Sequence, residues 1–405
     1  MATVRCVPRV VTLVLVDDAG VVRGALPPFE VPSPWWPEVS EVVDGARRRY
    51  GVDVTVLRLV ASELPAPHGG AVTYVAECLD APCADVMPLE QDAIDVAVHP
   101  NRASWARPGG PAASLAWAAD QLAQWGWQPA VAAQQRTWNL SAIWRLDSPS
   151  GVAWLKQVPP FFAHEPTVLR WLAVNAPHSA PAVLAADATS GRMLLAHVAG
   201  EDRHLARPAE LLALIDDLHG IQLRAVAQVD ALLAAGVPDR RWPVLGRAIR
   251  DTVARYGPDL GSEMDRVLRA LVDGLDERCA ATDECGLPDT LVHGDFHPGN
   301  TRGDGTRRTL LDWGDSFVGH PAFDALRLVD QQPPAAAAQL LQHWTERWRA
   351  GVPGCNPAEA LELMAPVAAL RAAVIYADFV DAIEPSERAY HAADIGIQLR
   401  TATGA

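Results

Sequence analysis

The sequence predicts an α+β protein: a small α/β domain at the N-terminus, a short β-rich segment after it, and a mainly helical C-terminal half. Three observations lead there. Apolar residues alternate or run in short blocks up to about residue 104, then recur at three-and-four spacing through most of the second half. Gly and Pro cluster in "ARPGGP", residues 106–111, between the two regimes. A chain of 405 residues also exceeds one ordinary core, so more than one domain is expected.

Taken in order, "VVTLVLV" (residues 10–16) is a strand that runs into the acidic turn "DDAG". A helix follows over 38–50, and strands over 52–60 and 71–78 complete the first domain, residues 1–104. "ARPGGP" reads as a linker and 112–126 as a helix, together residues 105–128. "WNLSAIWRL" and "GVAWLKQV" form a hairpin around "DSPSG", a helix begins near His164, and "GRMLLAHVAG" is strand-like; this part is assigned 129–200. Residues 201–405 carry "PAELLALIDDLHGIQ", "SEMDRVLRALVDGLDERC" and "AEALELMAPVAALRAAVIYADFVDAIEP", all with helical apolar periodicity.

Composition narrows the function. A net charge of -15 argues against nucleic acid or an anionic membrane as the main partner, and is compatible with a cationic small molecule. Six cysteines without a C-x-x-C pair indicate neither a zinc site nor a dithiol redox pair, and free thiols in a reducing cytoplasm are expected. The N-terminal apolar run lacks the length and flanks of a signal peptide, and no uninterrupted apolar stretch approaches the roughly 18 residues of a spanning helix. The fourteen tryptophans read mostly as core.

The chemistry concentrates in "LVHGDFHPGN" (residues 291–300) and "LLDWGDS" (310–316). Phosphoryl transfer from ATP needs a base for the acceptor hydroxyl, ligands for Mg²⁺ and a cation on the phosphates. In the kinase loop H-R-D-x-x-x-x-N the Asp and the metal-binding Asn are five apart, as are Asp295 and Asn300. Asp312 ends the run "TLLD", the place of the D-F-G Asp, and Mg²⁺ takes hard oxygen ligands from few protein groups. Of 34 basic residues, 33 are arginine; the single lysine, Lys156, marks a position that calls for a compact ammonium. Glu165 opens the helix after it, as a partner for that lysine.

Residues 130 to 400 resemble the aminoglycoside phosphotransferase and choline kinase family, which has a bilobal, protein-kinase-like fold. "HGDFHPGN", "LLDWGDS" and "GHPAFDALRL" carry the resemblance. It implies Asp295 as catalytic aspartate, Asn300 and Asp312 as Mg²⁺ ligands, Lys156 on the phosphates with Glu165 beside it, and Asp324 as structural. His293 and His297 are expected to hold the loop. "RMLLAHVAGED" resembles the segment joining the lobes, so His197 and Val198 would receive the adenine. No G-x-G-x-x-G precedes Lys156, which leaves "QQRTWNLS" as nucleotide loop and Asn139 and Ser141 as phosphate neighbours.

The expected function is therefore ATP- and Mg²⁺-dependent phosphorylation of a small hydroxylated molecule, such as an aminoglycoside, amino sugar or amino alcohol. Asp315, Asp378, Asp381 and Glu384 are the candidate acids for an acceptor amine. A nucleotide-binding module without transferase activity is the alternative. A protein substrate is disfavoured, because no A-P-E segment follows "LDWGDS". The stretch "EVVDGARRRYGVDV" resembles the Nudix signature, but Gly45, Arg48 and Arg49 stand where its glutamates would be, so a catalytically silent domain, serving as a cap or dimer surface, is expected there.

Overall fold

In the computed structural model, which describes residues 8–64, 68–78, 86–90, 94, 99–304 and 307–404, the chain divides into two units. The first comprises residues 1–163, 184–196 and 378–393; the second comprises 164–183, 197–377 and 394–405. The first unit thus takes in the N-terminal α/β region, the β-rich segment and a piece of chain from near the C-terminus.

Its first sheet is built from β1 (Arg9–Val16), β2 (Val22–Val31), β3 (Val54–Ser62) and β4 (Gly70–Cys78), in the order β2-β1-β4-β3. β1 and β4 run parallel and the outer pairings are antiparallel. Central β1 is buried almost throughout, which is why its sequence is a continuous apolar block. The helix α1 (Ser40–Tyr50) lies between β2 and β3 in sequence and packs Val42 and Ala46 into the same core. β2 escapes a sequence reading because "VRGALPPFEV" interrupts its apolar residues with two prolines; as an edge strand it has a free side that tolerates them.

The chain then passes through "ARPGGP", which is built into the first unit. The helix α2 (Gly110–Gln124) starts inside it, a Cβ on Gly110 would stand 2.0 Å from the Ser104 carbonyl oxygen, and the Gly109 N–H donates to the Glu77 carboxylate at 2.6 Å. A second sheet follows from β5 (Val131–Thr137), β6 (Ala142–Ser148), β7 (Gly151–Gln157), β8 (Val183–Asp187) and β9 (Arg192–Ala196), ordered β5-β6-β7-β9-β8. The expected hairpin is β6 and β7, with Ser148 opposite Gly151. β5, an edge strand, lacks apolar alternation and was not foreseen.

The two sheets meet edge to edge through side chains. The Gln134 amide on β5 donates to the Val56 carbonyl at 2.7 Å and accepts its N–H at 2.9 Å, so the buried edge of β3 at Val56 is satisfied.

The second unit is mainly helical: α3 (Glu165–Asn175), α4 (Pro208–Val226), α5 (Val229–Ala234), α6 (Val244–Tyr256), α7 (Ser262–Asp273), α8 (Leu275–Glu284), α9 (Ala322–Val329), α10 (Pro334–Gly351), most of α11 (Pro357–Ala382) and α12 (Ala392–Ala402). "SEMDRVLRALVDGLDERC" is two helices, α7 and α8, parted at Gly274. Short strands β10 (Glu201–Asp202), β12 (Thr301–Gly303) and β13 (Arg308–Leu310) form one sheet, and β11 (Thr290–Val292) pairs with β14 (Phe317–Gly319). α11 is long and apolar enough to cross a membrane by length and composition, yet 56% of its most apolar window is buried inside the protein. Cys279, Cys285 and Cys355 are free thiols and Cys78 is buried; Cys6 and Cys83 lie outside the described residues.

Candidate active site

β11 delivers the chain to His293, Gly294 and Asp295. Gly294 has φ +87°, and a Cβ there would lie 2.1 Å from the Asp315 carbonyl oxygen, so both the turn and the close approach of the next loop require glycine. His293 is fully buried. Its Nε2 lies 3.0 Å from the Leu311 carbonyl, which only accepts, so Nε2 donates and Nδ1 accepts the Asp295 N–H at 3.4 Å. Burial pushes its pKa down to about 4, so the ring is neutral and serves as a strut between the two loops.

The Asp295 carboxylate is held at both oxygens. Oδ1 accepts from Arg327 Nε at 2.8 Å, and Oδ2 accepts from Asn300 Nδ2 at 3.0 Å. His297 accepts the Gly299 N–H on Nδ1, which leaves its Nε2–H to face Asp295 Oδ2 at 3.3 Å. Burial would raise the Asp295 pKa, but the His297 hydrogen bond and the Arg327 charge outweigh it and hold the carboxyl below the usual range. The group is an anion fixed in direction.

Asn300 stands opposite the second loop. Thr301 pairs with Leu310 across β12 and β13, and the Leu311 N–H donates to the Asn300 carbonyl at 2.8 Å, so Asp312 follows directly beyond the residue that faces Asn300. Asp312 is a non-glycine residue at φ +61°, a left-handed conformation that Asp tolerates and that concentrates at functional sites. The Trp313 N–H just after it donates to Glu165 Oε1 at 3.2 Å, which ties the buried Glu165 of α3 to this loop.

The loop is braced from behind by Asp324. Its Oδ2 accepts the His293 N–H at 2.9 Å and the Gln222 amide at 3.0 Å, and its Oδ1 accepts the Gly294 N–H at 2.9 Å. Burial lifts its pKa to about 7 against those bonds. Arg371 donates to the Gly294 carbonyl at 3.2 Å with its guanidinium 4.3 Å over the Phe317 ring. Tyr376 belongs to the same neighbourhood: burial first, then the charges of Asp394, Asp295 and Asp315, raise its phenol pKa.

The remaining sequence candidates divide between the units. Lys156 is buried on β7 of the first unit, level with Ile143 and Met193. His197 and Val198 open the second unit's share of the connecting segment, where the Val198 carbonyl accepts from Arg302 at 2.8 Å. Asn139 and Ser141 are buried in the β5–β6 turn: Asn139 donates to the Glu387 carbonyl and accepts from His391, and Ser141 Oγ accepts from the Trp138 indole. Asp378 and Asp381 are exposed in the first unit, whereas Asp315 is half-buried in the second beside Asp295's loop. Glu384 departs from the expectation of an acceptor acid. It is buried, bonded to Arg102 Nη2 at 2.8 Å, and 3.8 Å from Arg58, so its charge is committed inside the first unit.

Among the described residues no group of three or more His, Cys, Asp or Glu is placed to hold a metal ion. The family model described as the phosphotransferase enzyme family matches residues 132–353, more than half of the chain. The chain belongs to that family. Membership makes it an enzyme, a phosphotransferase, and the match begins in β5 and ends past α10, so both loops lie within it. No curated protein matches the sequence.

Solved structures resemble this family member in fold. The macrolide 2'-phosphotransferase of Brachybacterium faecium is 21% identical, covers 69% of this chain and 97% of its own, and has a TM-score of 0.49. An ethanolamine kinase of Plasmodium vivax is 11% identical, covers 65% and 80%, and has a TM-score of 0.47. An aminoglycoside phosphotransferase, a thermostable mutant in complex with ADP and hygromycin B, is 17% identical, covers 67% and 94%, and has a TM-score of 0.44.

Arg327, Arg371 and Tyr376 were not found from the sequence. Arg327 lies three residues after Asp324 on α9, so the i, i+3 spacing was the one available signal that it faces the same loop.

Proposed function

We propose that this phosphotransferase moves the γ-phosphoryl group of ATP, with Mg²⁺, to a hydroxyl of a small molecule. The observation that carries the reading is Asp295, an oriented anion whose Oδ2 is bonded to Asn300, with Asp312 adjacent through the strand register. The donor set suits Mg²⁺. Asn300 uses its amide nitrogen toward Asp295, so its carbonyl oxygen is the atom left for a hard cation, and Asp312 adds a carboxylate. Bound Mg²⁺ would neutralise phosphate charge, and the rest of its shell comes from phosphates and water.

Asp295 accepts a hydrogen bond from the acceptor hydroxyl, orients it for in-line attack, and takes its proton as the new O–P bond forms and the bond from the γ-phosphorus to the bridging oxygen breaks, releasing ADP. Arg327, Asn300 and His297 keep the carboxylate from turning away. Such chemistry depends on placement more than on base strength. Lys156 supplies a cation for the phosphates and Glu165 braces the Asp312 loop. Because the Val198 carbonyl is engaged by Arg302, the connecting segment would meet adenine at Val198 through its N–H. Asp315 is the acid of the candidate set that shares a unit with Asp295, and it is the one proposed to face an acceptor amine. The cytoplasm remains the proposed location.

The test is ADP release by purified protein over a panel of aminoglycosides, sugars and amino alcohols. Asp295→Ala should abolish turnover while ATP still binds. Turnover at the wild-type rate in that variant would sink the assignment.

A further inference from the structure

The β5–β6 turn, residues 138–141, lies in the stretch read from the sequence as the nucleotide loop and contains no glycine. A glycine-rich loop is loose until nucleotide orders it, and that ordering costs affinity. Here the turn is bonded on every side. The Trp138 N–H donates to the Ser141 carbonyl at 3.0 Å and the Trp138 indole to Ser141 Oγ at 3.1 Å. The Trp138 carbonyl accepts from the Trp105 indole at 3.1 Å. Asn139 is 3% exposed; its amide donates to the Glu387 carbonyl at 3.4 Å, and its Oδ1 faces His391 Nε2 at 3.1 Å.

The partners come from far away in sequence. Glu387 and His391 lie just after α11, about 250 residues beyond Asn139. Trp138 also meets the Tyr390 ring edge at 5.7 Å and His391 at 5.4 Å, and Tyr390 meets Trp36 at 5.8 Å. Trp36 is anchored in the N-terminal sheet: its carbonyl accepts from Arg9 and Tyr74, and its indole donates to the Gly69 carbonyl. Burial drives the His391 pKa down to about 3, so the ring is neutral and its Nε2–H donates to Asn139.

We propose that the 138–141 turn is a preset nucleotide loop, clamped by the 387–391 segment and, through Tyr390, by the N-terminal domain. That domain then acts as a built-in support for nucleotide binding, and His391 is a positioning residue. The inference deepens the phosphotransferase reading and rests on it for its functional half.

Two experiments on the full chain test it. Amide hydrogen exchange needs no nucleotide: residues 138–141 should be protected in the wild type and exchange faster in His391→Ala. Rapid exchange of this turn in the wild type would overturn the clamp, whatever the enzyme's activity. Fluorescent mant-ATP titration with Mg²⁺ reads the function. His391→Ala should weaken Kd by about five- to tenfold, the worth of one buried hydrogen bond. Its kcat at saturating nucleotide should stay within about twofold, a split that general destabilisation does not produce. His391→Gln, which presents an amide N–H, should recover most of the affinity. An unchanged Kd in folded His391→Ala overturns the positioning role. A wild type with a protected turn that binds no mant-ATP overturns the phosphotransferase reading instead, and leaves the clamp a structural one.

Discussion

Gly294→Ala puts the loop that carries Asp295, the proposed catalytic aspartate, under a calculable load. A Cβ at this position would sit 2.1 Å from the Asp315 carbonyl oxygen and 2.8 Å from its carbonyl carbon. Real Cβ atoms essentially never approach within 3.0 Å, so the two loops must part by about 1 Å. Neither gives way easily: the Gly294 N–H is bonded to Asp324, its carbonyl to Arg371, and the Ser316 N–H closes the other turn on Trp313. A left-handed backbone costs alanine a further ~1 kcal/mol or more relative to glycine. A displacement of about 1 Å in a catalytic group lowers rate by roughly a hundredfold. The expected result is a kcat for ADP release down by about two orders of magnitude and a clearly lowered Tm. A kcat within about threefold of wild type, with unchanged Tm, would refute the reasoning, because the loops would then be able to separate without consequence.

Three further outcomes follow from buried charge. Asp324→Asn replaces one acceptor oxygen with an amide NH2 donor among three N–H donors, so kcat should fall by at least about tenfold, whereas Tm should change little because a costly buried carboxylate is removed. Glu384→Gln removes the buried carboxylate that Arg102 bonds at 2.8 Å and Arg58 faces at 3.8 Å; breaking such a pair costs about 3–5 kcal/mol, read as a Tm lowered by roughly 6–20 °C. Burial raises the Glu387 pKa from 4.5 to about 8, so the folded protein binds this proton more tightly than the unfolded chain does. Its stabilising effect is full below pH 4.5 and is lost as pH rises through about 8. Glu387→Gln should therefore flatten the decline of Tm across that window, with Asp324 contributing a residual slope of the same sign up to about pH 7.

What the sequence disclosed follows from how local each interaction is. Asp295 and Asn300 bond each other across five residues, and Asp312 follows the β12–β13 pair closely, so side-chain chemistry and spacing were enough to group them in the sequence. Arg327 reaches Asp295 from 32 residues away, and in a chain with 33 arginines its identity carried no information. The burial of Glu384 is illegible for the same reason: its partner Arg102 lies 282 residues upstream, and in the sequence it stands with Asp378 and Asp381 as one of several acids on a helical stretch. β2 and β5 were missed because edge strands need neither alternation nor freedom from proline. The clamp on Asn139 was invisible because it closes only when the chain beyond α11 returns to the β5–β6 turn.

The segment "GHPAFDALRL" gains its meaning from helix geometry. Asp324 and Arg327 are three residues apart on α9 and therefore project to one side of it. The first fixes the loop backbone at His293 and Gly294; the second fixes the Asp295 carboxylate itself. Backbone and functional group are thus both referenced to one rigid element, which limits how far they can drift relative to each other. It also explains why position 324 is an acid. Three donors converge on it, and a carboxylate is the acceptor-only side chain small enough to serve all three from α9. Burial opposes that charge, as its raised pKa shows, so the site holds an anion where packing alone would prefer none. Such a conflict between stability and placement is expected if the loop being placed performs the chemistry, as proposed above.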